Sequence, residues 1–563
     1  MTARHFWLLS IFVLCLALSV LWACDSETDD DDDNDDNNDD ATPDDDDTDD
    51  DTGDDDEDNP PMPSGQHVPI VVDADVRDGE LDERFIGVTV DTAQFIADRV
   101  EWGEHTHYTA IDPPDLYDPK LRNLAAALGP SLLRIGGTAA DGTYFCPEEG
   151  ESCELPPAYQ NVYRPSSGFQ ASYLTHDDVR AIAEFAEAID AEVIFCLNFG
   201  PGPRDAATGA WHPDNARELI RFVDTLDQAD RFIVWEAGNE ANSYMFNFRM
   251  PLNYGPEMYA GDLAVLRELV DAEDPEAMTA APATYFFPLR FIGDIFRFTE
   301  RALALGRQHV DLVTWHLYAT QSETCGDTFF HQPFPATLEN LFDEDIIATS
   351  RYYARYVLNA AQGVPVIMDE SASAQCGGQA GVSDTLLDAL WIVDWLGIMA
   401  QEGTRALVRQ SLLDFDYGII GGKTYEPRPT LLAMSALRRL VADARLSAEA
   451  DRSLVKTHAW CSGETPSALT VVVSNPSTET VVAQIDVTGN VITAARQWTI
   501  TSPDGLYGSR ATIEGEFIAD DGVVPTPDGS SVHRAAGKAF AAIAPESLVF
   551  VELELAQAPA GCP

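Results

Sequence analysis

From about residue 85 onward, short apolar runs alternate with longer stretches in which apolar residues recur every three or four positions. The runs are Phe85–Val90, Ser131–Ile135, Glu192–Asn198, Phe232–Glu236, Met278–Ala281, Leu312–His316, Val364–Met368 and Ala406–Gln410. Helical stretches between them include Asp177–Ile189, Asn215–Leu226, Met258–Asp271 and Asp384–Gln401. Eight strands, each followed by a helix, predict an α/β fold, a (β/α)8 TIM barrel over residues 85–442. The competing doubly wound sheet would carry a Gly-rich turn after its first strand, and Val90-Asp91-Thr92-Ala93 offers none. Beyond Ala442 the pattern shortens. Val455–Trp460, Ala468–Ser474, Thr480–Val487, Ala539–Ala544 and Ser547–Leu553 alternate with Asn, Ser, Gly and Pro turns, which predicts a flanking β-sandwich over 443–563. Val68–Val76, inside 67–84, is also strand-like; a lone strand outside a barrel needs a sheet to pair with, so it is expected to join the sandwich.

The N-terminus changes where this fold is expected to reside. Arg4 and His5 precede an apolar run, Phe6–Trp22, that is too short for a comfortable membrane span and reads as an export signal over 1–23. It ends in Leu21-Trp22-Ala23-Cys24, a lipobox-like sequence that makes Cys24 the candidate for acylation and gives an exported, membrane-anchored lipoprotein. Residues 24–66 form an acidic linker: Asp25–Asp58 holds 23 acidic residues and no basic one. Such a segment cannot bury enough apolar surface to fold, and its self-repulsion keeps it extended. The whole chain of 563 residues carries a formal net charge of −61, with lysine only at Lys120, Lys423, Lys456 and Lys538. That surface excludes nucleic acid as a partner and argues against heavily sulfated polymers, because both bind through Lys and Arg neutralising anions.

Nine cysteines fit an oxidising compartment. Cys146 and Cys153 are close together in a Pro/Glu-rich loop and are expected to pair. Cys325 and Cys376 each follow a predicted strand on the same barrel face and are disulfide candidates. Cys461 and Cys562 bracket the C-terminal segment. Cys196 sits inside an apolar strand and reads as a buried free thiol. Sequence spacing alone leaves the connectivity open. No metal-binding spacing occurs, and neither metal nor cofactor is expected.

The fourth predicted strand ends Trp235-Glu236-Ala237-Gly238-Asn239-Glu240, and the seventh ends Met368-Asp369-Glu370. Barrel active sites are built at strand C-termini. Two glutamates delivered there from different strands are the paired carboxylates a retaining glycosidase needs about 5–5.5 Å apart, one as nucleophile and one as acid/base. Glu240 and Glu370 are the catalytic candidates. Strand alternation turns Glu236 away from Trp235 and assigns it to structure; Asp369 should likewise face away from the nucleophile. Asn239 is a candidate to bond a sugar hydroxyl or the nucleophile. His316 and Tyr318 after strand six, and Gln410 and Tyr417 after strand eight, supply the ring faces and polar edges that a polyol requires. The run Tyr285-Phe286-Phe287 is either an aromatic subsite wall or core.

Read together, Val88–Asp91, Leu133–Thr138, Trp235–Ser243, Thr314–His316, Glu370–Gly378, Val382–Thr385 and Val408–Gln410 resemble glycoside hydrolase family 79, the heparanase and β-glucuronidase family of clan A. The resemblance implies a clan A barrel with a flanking β-sandwich, a retaining mechanism without metal, Glu240 as acid/base and Glu370 as nucleophile. It adds Asp91, Thr138, Asn239, His316 and Tyr318 as sugar-binding or supporting residues. It implies a glucuronate carboxylate held by the Gly377-Gly378 backbone and Tyr417, and a Cys461–Cys562 disulfide. Cys376 stands where the first glycine of that pair would be, so the pair is shifted by one. The segments Tyr244–Asn247 and Ala281–Pro288 lack the basic clusters that heparan sulfate requires, so an unsulfated β-glucuronide is the expected substrate. A clan A β-glycosidase on a neutral sugar is the first alternative. A non-catalytic surface carbohydrate-binding protein is the second, and the presence of both glutamates disfavours it.

Overall fold

The chain lays down β1 (Gln66–Glu80) and then eight parallel strands: β2 (Ile86–Asp91), β3 (Ser131–Gly136), β4 (Ala191–Leu197), β5 (Phe232–Ala237), β6 (Met278–Phe286), β7 (Leu312–Leu317), β8 (Val366–Ser371) and β9 (Leu407–Gln410). β2 to β9 close into a barrel in sequence order, β9 pairing back onto β2. This computed structural model describes residues 59–99, 113–150, 153–160, 162–164, 169–250, 254–287, 293–325 and 334–562. The expected export signal, Cys24 and nearly all of the expected acidic linker lie outside the described residues. Asp58–Pro563 form one unit. Among the described residues no helix is long and apolar enough to cross a membrane.

Side-chain alternation places the site. Leu132, Ile194, Val234, Ala280, Ile367 and Val408 point inward and form a dry layer inside the barrel. Two residues further along the same strands, the inward positions are Arg134, Cys196, Glu236, Asp369 and Gln410, all buried. A polar layer therefore lies on an apolar one, at the strand C-termini. β6 runs five residues beyond its predicted end at Ala281. The prediction stopped at Pro282, but a register shift between Pro282 and Thr284 lets the strand absorb the proline and continue.

Beside the barrel lies an 11-stranded sheet. Its main strands are β10 (Val441–Glu449), β11 (Lys456–Ser462), β12 (Ala468–Asn475), β13 (Val481–Val487), β14 (Ile492–Thr501), β15 (Lys538–Ile543) and β16 (Ser547–Leu555), in the order β14-β16-β12-β11-β10-β1-β13-β15. β1 lies in the middle, antiparallel to β10 and parallel to β13. The sequence pattern missed β10 and β14. β10 starts one residue after the helix Pro429–Leu440, with no turn residue to announce it. The disulfides are Cys146–Cys153, Cys325–Cys376 and Cys461–Cys562, and Cys196 is a free buried thiol.

Barrel and sheet share the helix Leu386–Glu402, buried along nearly its whole length. A helix apolar all round must be covered on all sides, and this one packs against both. Its Asp394 accepts two hydrogen bonds from Arg452, at 3.0 and 2.8 Å, and one from His458 Nε2 at 2.8 Å. Arg445 Nη2 lies 3.1 Å from His458 Nδ1, which fixes the neutral tautomer. A Cβ on Gly397 would lie 2.3 Å from that ring, so the helix needs glycine there despite its cost.

Burial pushes the His458 pKa down to about 4 from 6.5. Above 6.5 both folded and unfolded chains carry a neutral ring. Between 6.5 and 4 only the unfolded chain takes up a proton, so stability falls as pH falls through that window, by about 3 kcal/mol in full. Denaturant unfolding of the parent and His458→Gln at pH 7 and about 4.5 should show this loss in the parent and a flatter dependence in the variant. The comparison cancels the titration of every group that the two proteins share.

Candidate active site

The floor is built around Arg134 on β3, which is 0% exposed. Its Nε donates to Glu236 Oε2, its Nη1 to Glu370 Oε2 and its Nη2 to Asn239 Oδ1, each at 2.9 Å. Asp369 Oδ2 lies 3.2 Å from Nε. Only a guanidinium offers donors in a rigid fork that reaches several elements at once. Burial opposes its charge, but Glu236, Asp369 and Glu370 outweigh burial and hold its pKa well above the ordinary range. Two glycines make room for this floor: a Cβ on Gly136 would sit 2.8 Å from Arg134 Cζ, and one on Gly137 2.4 Å from Asp91 Oδ2.

Asp369 does not turn away from Glu370 as alternation predicts. Register shifts on both sides of β8 bring the two consecutive carboxylates to the same guanidinium. Glu236 does face away from Trp235, whose indole donates outside the barrel to Asp274. It belongs to the charged floor.

Above the floor, Glu240 and Glu370 meet. One carboxylate oxygen of each and a ring nitrogen of His316 all lie within 4.8 Å of one another. His316 Nδ1 is 3.2 Å from Glu240 Oε1, and its Nε2 is 3.4 Å from Asp369 Oδ1. Burial disfavours the imidazolium, but Glu370, Asp369 and Glu240 overcome it and lift the His316 pKa to about 10. Tyr318 donates to Glu370 Oε1 at 2.6 Å. Both Glu370 oxygens therefore have donors, Arg134 and Tyr318. Glu240, His316 and Glu370 are close enough to bind a divalent ion, but Arg134 at Glu370 supplies the positive charge such an ion would bring and repels it.

Glu240 is held in a left-handed conformation, φ 54°, ψ 48°, which costs a non-glycine residue about 1–2 kcal/mol. Its neighbours impose this. The Glu240 N–H donates to Ala283 O at 2.8 Å. Asp141 accepts from the Asn239 N–H at 2.9 Å, the Phe199 N–H at 2.9 Å and the Tyr244 hydroxyl at 2.7 Å. Burial pushes the Asp141 pKa up to about 7, against the lowering effect of those donors. Tyr244, in the segment read for substrate charge, is thus a buried support for this loop.

On the far side of Glu370, three loops are tied together. The Cys325–Cys376 disulfide joins those after β7 and β8. The Gly377 carbonyl accepts from the Asp416 and Tyr417 N–H groups at 2.7 and 3.1 Å, joining the loop after β9. Gly377 and Gly378 have φ of 90° and 86°, and a Cβ on Gly378 would lie 2.4 Å from Tyr417 N. Both glycines are buried, and among the described residues neither of their N–H groups has an acceptor. Gln410 Nε2 lies 3.5 Å from the Tyr417 hydroxyl and 3.4 Å from Asp91 Oδ2. Asp91 also caps the turn Thr92–Phe95. Thr138 is half-buried at the start of the turn after β3. Asn239 spends its oxygen on Arg134, leaving its amide N–H groups for other partners.

Alternation splits the aromatic run. Tyr285 clusters with Tyr318, Ala372 and Tyr417 and donates to Gln375 Oε1 at 3.0 Å, whereas Phe286 packs into the core against Trp315 and Tyr353. Arg134, Glu236, Asp369 and Asp141 were not among the predicted site residues, and Tyr285 belonged to a run that the sequence left open between subsite wall and core. Arg134 had a visible signal, a lone cation inside the apolar run Ser131–Ile135.

The chain is similar to known proteins. Heparanase-like protein 1 of Arabidopsis thaliana is 25% identical over 405 residues, 70% of either chain. Baicalin-β-D-glucuronidase of Scutellaria baicalensis is 24% identical over 513 residues, 84% of this chain and 90% of that one. A 4-O-α-L-rhamnosyl-β-D-glucuronidase from Fusarium oxysporum shares the fold, with a TM-score of 0.58 over 86% of this chain and 99% of that one at 17% identity. Residues 67–397, more than half of the chain, match the N-terminal domain of glycosyl hydrolase family 79, and the protein is a glycoside hydrolase of that family.

Proposed function

We propose that the protein is a retaining β-glucuronidase acting by double displacement. The observation that carries the mechanism is the separation of Glu240 and Glu370, whose nearest oxygens fall within 4.8 Å. An inverting enzyme needs room for a water between its carboxylates, about 6.5–9.5 Å. Glu370, oriented by Arg134 and Tyr318, attacks the anomeric carbon. Glu240 protonates the departing oxygen, then takes the proton from the water that releases the sugar. His316 Nδ1 orients Glu240, and the Asn239 amide is placed for a sugar hydroxyl.

The uronate assignment rests on Gly377, Gly378 and Tyr417. Two buried glycines whose N–H groups have no acceptor among the described residues, on a loop bonded to the Tyr417 backbone, offer donors suited to the lone pairs of a carboxylate. The names of the relatives agree, and the acidic chain disfavours sulfated polymers. The Leu21–Cys24 motif supports action at a membrane surface.

Hydrolysis of aryl β-D-glucuronide, β-D-glucoside and β-D-xyloside by the chain from Gly65 onward tests the reading. Glucuronide turnover is expected, and Tyr417→Phe should lower its kcat/KM by about 10–100-fold. A 2-fluoro-glucuronide should label Glu370. Preference for a neutral sugar would overturn the uronate assignment, and labelling elsewhere would overturn the mechanism. Carbohydrate binding without turnover would indicate a non-catalytic binding protein.

A further inference from the structure

Glu236 lies under the two reacting carboxylates and takes no part in the double displacement. We infer that Glu236 is a neutral carboxylic acid that donates its proton to Asp369, and that this acid–carboxylate pair positions His316 and, through it, Glu240.

Arg134 Nε carries one hydrogen, and it is donated to Glu236 Oε2 at 2.9 Å, an oxygen that Nη2 also approaches to 2.9 Å. Asp369 Oδ2 lies 3.2 Å from Nε without a hydrogen bond of its own. Asp369 Oδ1 faces His316 Nε2 at 3.4 Å, a contact that a small rotation turns into a hydrogen bond. Glu236 Oε1 and Asp369 Oδ2 remain, both fully buried and both without a donor. Two ionised carboxylates crowded against one side of a single guanidinium in a fully buried floor would repel, with Glu236 Oε1 and Asp369 Oδ2 both left without a donor. A single proton on Glu236 Oε1, directed at Asp369, satisfies both oxygens and makes the strong kind of hydrogen bond.

The charges agree. The buried cations are Arg134 and His316; the carboxyl groups are Glu236, Asp369, Glu370 and the acid/base Glu240. With protons on Glu236 and Glu240, two cations face two carboxylates and the site is neutral, the state that burial favours. The other titratable groups facing Glu236 are the Cys196 thiol and the Tyr259 phenol. Burial pushes the pKa of both well up, so they stay uncharged. Burial likewise raises the Glu236 pKa well above the carboxylate range. Burial acts on Asp369 too, but Arg134 and His316 overcome it and hold Asp369 below that range. Asp369 then stays anionic and draws His316 Nε2 toward itself, which aims Nδ1 at Glu240. The charge balance, which takes Glu240 in its general-acid form, and this last step rest on the proposed function; the hydrogen count at Glu236 and Asp369 does not.

The test is an infrared difference spectrum, parent minus Glu236→Gln, at about pH 9, two units above the Asp141 pKa of about 7. The parent should show a protonated-carboxyl C=O band that the variant lacks. The glutamine amide donates to Asp369 as the acid does, so Glu236→Gln should keep kcat within about threefold and the parent pH–rate profile, whereas Asp369→Asn should lower kcat about 10–100-fold and shift the profile. Absence of the band would show Glu236 ionised and overturn the assignment, whether or not the protein cleaves glucuronides. A Glu236→Gln variant as impaired as Asp369→Asn would show that charge rather than a donated proton is required, and an unaffected Asp369→Asn would remove the positioning role.

Discussion

Glu370→Gln is expected to lower kcat on every β-glycoside substrate by roughly 10⁴-fold or more, because no covalent intermediate can form. The fold should survive. The substituted amide can present its oxygen to Arg134 and its N–H to the Tyr318 oxygen, since a hydroxyl both donates and accepts. Glu240→Gln should behave differently. Loss of the general acid costs about 10²–10⁴-fold where the leaving group needs a proton. A nitrophenolate leaves without one, so the first step on a nitrophenyl glucuronide is spared. Release of the glycosyl enzyme still needs a base, so a burst of nitrophenol followed by a slow steady state is expected. Equal losses for both variants on activated and unactivated substrates, with no burst, would sink the assignment of roles. The difference follows from the geometry: Glu370 is held by two donors, whereas Glu240 sits on a strained turn where, among the described residues, His316 is the one hydrogen-bond partner of its carboxylate.

What the sequence revealed and what it concealed divide along physical lines. The eight apolar runs and the helical repeats between them were legible because the barrel strands are buried along their length and most of the helices show one apolar face, Leu386–Glu402 being apolar all round. Glu240 and Glu370 were legible because a charged residue at the end of an apolar strand stands out. The charged floor was not. Arg134, Glu236 and Asp369 come from three strands, and only closure of the barrel brings them together. Alternation failed at Asp369 because the β8 register shifts are not written in residue types. It failed to separate Tyr285 from Phe286 because the strand was ended at Pro282. Asp141 was missed for another reason: its partners are backbone N–H groups of Phe199 and Asn239, which no side-chain pattern announces.

Arg134→Met should cost about 3–5 kcal/mol of stability at neutral pH, the loss expected when a buried charge cluster loses one partner. Methionine matches the stem of arginine but offers no donor to Glu236, Glu370 or Asn239. Arg134→Lys should be milder in stability yet severe in activity: an ammonium has three donors on a single atom and cannot span from Glu236 to Asn239. The deficit of the Met variant should depend on pH with a definite sign. In the parent, burial raises the Asp369 pKa, and Arg134 and His316 overcome it to hold the group below the carboxylate range. Without Arg134 burial dominates, and folded Asp369 binds a proton more tightly than the unfolded chain does. Folding then takes up a proton, so the deficit is greatest at neutral pH and shrinks as pH falls toward the raised value. Denaturant unfolding of parent and Arg134→Met at pH 7 and about pH 5 measures this directly. A pH-independent deficit would mean that Arg134 contributes packing alone. A deficit that shrinks on acidification, with activity still absent, would identify the guanidinium as the charge that lets the consecutive carboxylates of Asp369 and Glu370 coexist in one floor.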